Sequence, residues 1–262
     1  MAFDLRSVRR GVSLTPPRII IYGSHGVGKT SFAAGAPNPI LLPLEDGEGV
    51  IDIPRFPRIT EYGQLMSAIG SLVQEQHEFS TAIIDTLDWL EPIVLAETCR
   101  RNKWADIETP GFGKGYIAAD DTWREVLASF DAMRDAGMTV ICLAHSEIKT
   151  FADPTAENYD RHQLKLHKRV WGLAQEWADI VGFLNFRVVV EKSAAGFNKV
   201  SHKGKGFGER MLHLEERPAY YAKNRYRLPP EIRMPQDNPE GMYQAFADAM
   251  QASINQVTAK GN

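Results

Sequence analysis

The 262-residue chain holds only two cysteines, Cys99 and Cys142. Their spacing suits no metal site and Cys142 lies inside an apolar run, so the pair points to a reduced, intracellular setting. No apolar run approaches the length of a membrane span, and the opening residues, MAFDLRSVRR, lack the apolar core of a signal peptide. No membrane contact is therefore expected. An excess of basic charge is also missing: 30 Lys and Arg face 33 Asp and Glu, for a net charge of −3. Any contact with nucleic acid has to come from local patches. No repeat or low-complexity tract interrupts the sequence. What is present, 44% hydrophobic and 24% charged residues, is an ordinary globular composition, long enough for one large domain or two small ones.

Gly23–Thr30 reads GSHGVGKT, the P-loop spacing of Gly, four residues, Gly-Lys-Thr. Its context fits. Arg18–Tyr22 (RIIIY) has the look of a buried strand, and a short helix follows to Ala34, stopped by Gly35 and Pro37. Strand, glycine loop and helix N-terminus together cradle phosphate oxygens with backbone N–H groups. The expected nucleotide contacts are Gly23, Ser24, His25, Gly26, Val27, Gly28, Lys29, Thr30 and Ser31. Lys29 would reach the β and γ phosphates of ATP and Thr30 would hold Mg²⁺. Thr81–Asp85 (TAIID) is a second buried strand ending in the acid that completes a Mg²⁺ shell with Thr30. The next residue is Thr86, so the water-polarising carboxylate must stand elsewhere. Pro39–Leu44 (PILLPL) delivers Glu45 to a strand's carboxyl end, where ligands of open α/β sheets sit. Glu45 is the best-placed base, the alternative being that Glu45-Asp46-Gly47-Glu48 is an acidic turn facing solvent. Asp88 and Glu91 read as first-turn acids of the next helix, favoured there by its dipole.

Helical spacing marks Glu61–Gln76 and Leu87–Arg101, with Pro92 tolerable only in a first turn. Trp104–Tyr116 is a glycine-bearing loop with Lys114, Phe112 and Tyr116; it either tracks a phosphate backbone and stacks bases or is a connector with buried aromatics. Thr122 and Glu125 fit a capping box at the start of another helix. Met138–Ala144 is a core strand with His145 at its end, either structural or able to meet a γ-phosphate or water. Ser146–Asp160 reads as a long polar loop. Arg161–Arg169 (RHQLKLHKR) is densely basic; Arg161, Lys165, Lys168 and Arg169 would suit single-stranded nucleic acid, or form a solvated face. Ile180–Leu184 and Val188–Val190 supply strand, Asn198–Arg210 is a basic, Gly-rich hairpin tip, and Met242–Met250 a short closing helix before a frayed end.

Taken together the sequence resembles the RecA-like core of ATPases. More closely it is similar to phage-encoded RecA-like P-loop ATPases of the Sak group, described as single-strand annealing or recombination ATPases. The residues that carry the likeness, between about Arg18 and Pro230, are GSHGVGKT, LEDGEG, IIDTLDWLE, GKGY, the LAH strand end, LKLHKR with EWAD, and AKNRYRLP. The resemblance implies an α/β fold: a mainly parallel, helix-flanked sheet at 18–235 with C-terminal antiparallel hairpin strands, an N-terminal arm at 1–17 containing Phe3 and Leu5, and a C-terminal helix and tail at 236–262. It implies Glu45 as catalytic base, Lys29 on the phosphates and His145 as γ-phosphate sensor. Lys223 and Arg225 become cations inserted into a neighbouring subunit's site, the alternative being a surface basic turn. It also implies DNA-binding loops near 105–118 and 147–166. The expected partners are single-stranded DNA, further copies of the chain in a ring or filament, and a phage single-strand-binding or annealing protein, in the host cytoplasm. Two rivals stand beside this reading. One is a small-molecule kinase whose lid arginines are imitated by Arg161 and Arg169; the other is a nucleotide-gated assembly protein without turnover.

Overall fold

The structure, a computed structural model, describes residues 15–46, 51–152, 155, 157–194, 200–236 and 238–259. Phe3, Leu5, Gly47, Glu48 and residues 195–199, among them the first two of the expected tip at Asn198–Arg210, lie outside the described residues. The chain runs β1 (Arg18–Gly23), α1 (Lys29–Ala34), β2 (Pro39–Pro43), α2 (Tyr62–Gln74), β3 (Thr81–Asp85), α3 (Leu87–Asn102) and α4 (Lys114–Asp135). It continues through β4 (Thr139–Phe151), β5 (Tyr159–Leu164), α5 (Lys168–Trp177), β6 (Ile180–Ala194) and β7 (Val200–His213). β8 (Lys223–Asn224), β9 (Glu231–Met234) and α6 (Pro239–Ala259) complete it.

The main path of the sheet is β2-β3-β4-β1-β6-β7-β9, with β5 on β4 and β8 on β6. The pairs from β2 to β6 are parallel. β6–β7, β7–β9, β4–β5 and β6–β8 are antiparallel. This is the expected α/β architecture, a mostly parallel sheet with antiparallel strands toward the C-terminus. Parallel strands are covered on both faces, which is why β1, β3 and the first half of β4 read as unbroken apolar runs. Ile20 and Tyr22 point into a core shared with α2, α3, α4 and α5. Ile19 and Ile21 point to the other face, onto Phe32 of α1 and Met242 and Phe246 of α6. Among the described residues no helix is long and apolar enough to cross a membrane.

Several elements differ from the sequence expectation. β4 does not stop at Ala144 but runs on to Phe151 and pairs with β5, so much of the polar segment from Ser146 is hairpin. Ser146 and Glu147 there are half-buried and residues 148–151 exposed, so polar residues satisfy a strand as well as a loop. α4 begins at Lys114, after Gly113 in a left-handed conformation (φ 68). Thr122 is therefore an interior residue, buried, with its hydroxyl 2.9 Å from that of Thr98, and not a cap. Pro92 is the sixth residue of α3 rather than part of its first turn, and is exposed. β6 is one strand with an irregularity between Phe186 and Val188, and β7 takes up most of the supposed hairpin tip. α6 is longer than Met242–Met250 and runs to Ala259.

α6 closes the second core over the P-loop helix: the rings of Phe32 and Phe246 meet edge to face with centroids 5.7 Å apart. Phe246 is buried. Phe246→Ala should lower the unfolding free energy by about 3–5 kcal/mol, read by urea denaturation.

Candidate functional site

The carboxyl ends of the parallel strands converge. Register places Gly23 of β1 opposite His145 of β4, and Pro43 of β2 opposite Asp85 of β3. The P-loop leaves β1 at Gly23, where a Cβ would stand 2.2 Å from the Leu184 carbonyl oxygen of β6; only glycine allows that approach. Gly26 (φ 72) and Gly28 (φ 102) take left-handed conformations that turn the loop into α1. Val27 is buried in the second core, so it offers a ligand its backbone alone. Ser24, His25 and Gly26 are exposed along the loop, while Thr30 and Ser31 open α1.

Lys29 is buried and its Nζ donates to the carbonyls of Ser24 (3.0 Å) and Gly23 (3.3 Å). Burial pulls this amine's pKa down, against the charges of Asp85, Glu45 and Asp88. The Thr30 hydroxyl donates to Asp85 Oδ2 at 2.8 Å. Asp85 Oδ1 is buried with no hydrogen-bond partner. Burial, only partly offset by the Thr30 bond, pushes the Asp85 carboxyl up to about 6. A hydroxyl and an orphaned carboxylate oxygen side by side suit a hard divalent cation. Among the described residues no group of three His, Cys, Asp or Glu side chains is arranged to hold a metal. Mg²⁺ held by Thr30 and Asp85 would therefore share the oxygens of a phosphate ligand.

Glu45 follows β2, its N–H 3.4 Å from the Asp85 carbonyl. It is half-buried beside a crevice of about 330 Å³ that it lines with Asp46, Arg55 and Arg58. Its charge acts on Lys29, His25 and Asp85. His145 is buried; its N–H donates to Asp88 Oδ1 at 2.9 Å and its Nδ1 lies 2.8 Å from Asp88 Oδ2. Burial raises the Asp88 pKa, but the bonds from His145 outweigh it and hold the carboxyl below the usual range. Asp88 is thus more than a first-turn acid. His25 stacks on His145 with centroids 3.7 Å apart. Arg210 of β7 reaches the same loop: its Nε donates to the Val27 carbonyl at 2.9 Å, and its guanidinium lies over Phe186.

The remaining sequence-predicted residues are not at this site. Lys223 and Asn224 pair with Val181 and Ile180 of β6, which pair with Ile20 and Ile19 of β1. Lys223 thus sits three residues before Gly23 along the strand direction, about 10 Å, and about two strand spacings further across the sheet on the far side of β6. Its Nζ donates to the Gln175 carbonyl at the end of α5. Arg225, half exposed, donates to Asp179 at 3.1 Å. Lys114, Lys165, Lys168 and Arg169 are exposed. Arg169 is paired with Asp120. Tyr116 stacks on His167 at 4.3 Å. Arg161 is the correction in this set: it is buried, donates to Glu216 and lies over the Phe151 and Tyr221 rings, so it faces no ligand. Its burial comes from those long-range contacts with Glu216, Phe151 and Tyr221, which no local pattern in the basic segment signals.

Asp88 and Arg210 are the residues that sequence reasoning missed as members of the site. Their partners stand 57 and 183 positions away, and no local pattern signals such contacts.

A family model described as an AAA domain matches residues 15–226. The chain is also similar to the SPbeta prophage-derived uncharacterized protein YorG of Bacillus subtilis (strain 168), 25% identical over 134 residues. That match covers 49% of this chain and 40% of the relative, so the chain spans about two fifths of its length. A solved structure titled "Crystal structure of the RadB recombinase" aligns with 86% of this chain and 90% of its own, at 13% identity and a TM-score of 0.47.

The raised Asp85 pKa carries a sign. Folding favours the protonated acid, so the ligand-free chain loses stability as pH rises from about 4 through about 6 and does not regain it above. Asp85→Asn removes that cost. The ligand-free variant should be more stable than the parent near pH 8 by roughly 1–3 kcal/mol, and the two should converge near pH 4. Denaturant melts at the two pH values measure it.

Proposed function

The chain belongs to the AAA domain family, the AAA-type P-loop ATPases, and on that premise we propose that it hydrolyses ATP at sites shared between neighbouring copies and couples this to single-stranded DNA in a phage-type recombination or annealing system. Membership of the Sak group is part of the same proposal. The observation that carries it is the gathering of Lys29, Thr30, Asp85, Glu45 and His145 at one end of the sheet, with Lys223 and Arg225 toward the other.

Each residue has a task in this reading. Lys29 exchanges its two loop carbonyls for β and γ phosphate oxygens. Thr30 and Asp85 hold Mg²⁺, which neutralises developing phosphate charge when bound. Glu45 orients water and accepts its proton, and His145 contacts the terminal phosphate. The register distance keeps Lys223 and Arg225 from their own P-loop, so a nucleotide they touch belongs to a neighbour. Such head-to-tail contacts generate rings or helical filaments. Support for DNA contact is the exposed set Lys114, Lys165 and Lys168 together with Phe112, a fully exposed aromatic between Gly111 and Gly113. The prophage origin of YorG favours the phage setting.

Turnover of ATP with no added acceptor, raised by single-stranded DNA, is the expected result; turnover indifferent to DNA rejects the DNA part, and transfer to a small acceptor favours a kinase. Glu45→Gln should cut the hydrolysis rate by about 100-fold or more while ATP binding persists. Unchanged turnover sinks the role of Glu45. Mixing Lys29→Ala chains with Arg225→Ala chains should recover part of the activity that each lacks alone, because some mixed interfaces combine an intact P-loop with an intact arginine. Absence of recovery in a steady-state assay argues against shared sites.

A further inference from the structure

Arg210 is half-buried, and no acid pairs with it among the described residues. Its Nε donates to the Val27 carbonyl at 2.9 Å. Nη1 and Nη2 meet no hydrogen-bond partner among the described residues. The guanidinium carbon lies 5.3 Å from the Phe186 ring centroid, over that ring. Register pairs the two residues directly, Arg210 of β7 against Phe186 of β6. The guanidinium plane is thus pinned at one edge by the loop and on one face by an aromatic ring. Its second face and the N–H groups of both Nη atoms are uncommitted. A half-buried cation without a counter-charge is a cost that a ligand relieves. A phosphate asks only for charge, which a freely moving arginine supplies as well. A planar cation held at two points offers a flat surface besides.

The surface stands where a nucleoside has to go. Tyr22 of β1 pairs with Phe183 of β6, and Gly23 lies against the Leu184 carbonyl. Phe186 is two residues further along β6, about 7 Å beyond the point where the P-loop leaves the sheet. It packs on the core that holds Phe32 of α1, so it lies on the face of the sheet that α1 covers. A Cβ on Gly28 would stand 3.5 Å from Arg210 Nε. Arg210 therefore flanks the loop on its β6 side, whereas Glu45, Asp85 and Asp88 follow β2 and β3, on its β4 side. The charged end of a triphosphate is drawn to Lys29 and to the ion that Thr30 and Asp85 would hold. The neutral nucleoside is the other end, and it leads away from those acids toward β6 and β7. We propose that the guanidinium of Arg210, backed by Phe186, is the surface on which the nucleobase of the bound triphosphate stacks, and that Arg210 is the residue by which the site prefers a nucleoside triphosphate to bare triphosphate. This rests on the reading of the P-loop as a triphosphate site. The same side chain ties down the Val27 carbonyl, so one group holds both the base and the loop that cradles the phosphates.

The full chain with Mg²⁺ is titrated calorimetrically with the β,γ-imido analogue of ATP and, separately, with inorganic triphosphate. The parent should bind the nucleotide about ten-fold or more tightly than the bare triphosphate. Arg210→Lys keeps a cation and a donor for the Val27 carbonyl but has no plane, and Arg210→Ala keeps neither. Both should bring the ratio of the two affinities down toward one. The ratio is the readout, because loosening of the loop alone weakens both ligands together. Photolabelling of the parent with 8-azido-ATP needs no variant: the label should fall on residues 185–187 or 209–211. A ratio unchanged in both variants, equal losses for the two ligands, or a label confined to other residues overturns the proposal and leaves the triphosphate site standing. Failure of both ligands to bind the parent overturns the reading of the P-loop and the proposal with it.

Discussion

The parallel register of β4 between β1 and β3 is the constraint on which the site depends. It sets Gly23 against His145 and Ile84 against Cys142. The P-loop strand and the Asp85 strand are thereby held two strand spacings apart, about 10 Å. That gap is what Thr30 crosses to reach Asp85 and what Lys29 lies within. A slip of β1 by one residue would exchange Ile19 and Ile21 with Ile20 and Tyr22 between two different cores.

Around that frame, charge is held in opposed pairs. Lys29 is desolvated and leans on neutral carbonyls, Asp85 is desolvated with one oxygen unpaired, and Asp88 is kept ionised by His145. The first two are costs to the empty protein, since burial disfavours both charged forms. A ligand bearing phosphates and a divalent ion would relieve both at once, because it brings the opposite charge to each. Arg210 adds a further tie, fastening the loop backbone from β7. The loop is therefore held from β1, α1 and β7.

How much of this was legible in the sequence follows from burial and distance. β1, β2 and β3 were readable because parallel strands covered on both faces must be apolar throughout. The P-loop was readable because its backbone conformation demands particular residues at fixed spacing, and Asp85 because it ends such a strand. The β4–β5 hairpin was not, since residues 148–151 are exposed and the paired segments carry no apolar alternation. The start of α4 was hidden behind glycines that also suit a loop. Arg161 misled because its burial comes from contacts with Glu216 and the Tyr221 ring, far along the chain, while the neighbouring Lys165 is exposed. Asp88 could not be assigned to His145 from the sequence, since their contact is created by the placement of α3 beside β4.

Gly23 invites an evolutionary reading. Its missing Cβ is required by the Leu184 carbonyl, a demand of sheet packing that holds whether or not a nucleotide ever binds. Gly26, by contrast, has open space around it and is constrained by its left-handed backbone, a conformation that asparagine tolerates. A descendant of this chain that had abandoned nucleotide chemistry would be free to drift at Gly26, Lys29 and Thr30 yet would keep glycine at 23. The first glycine of the motif is thus a record of the fold, and the later residues are the record of its use.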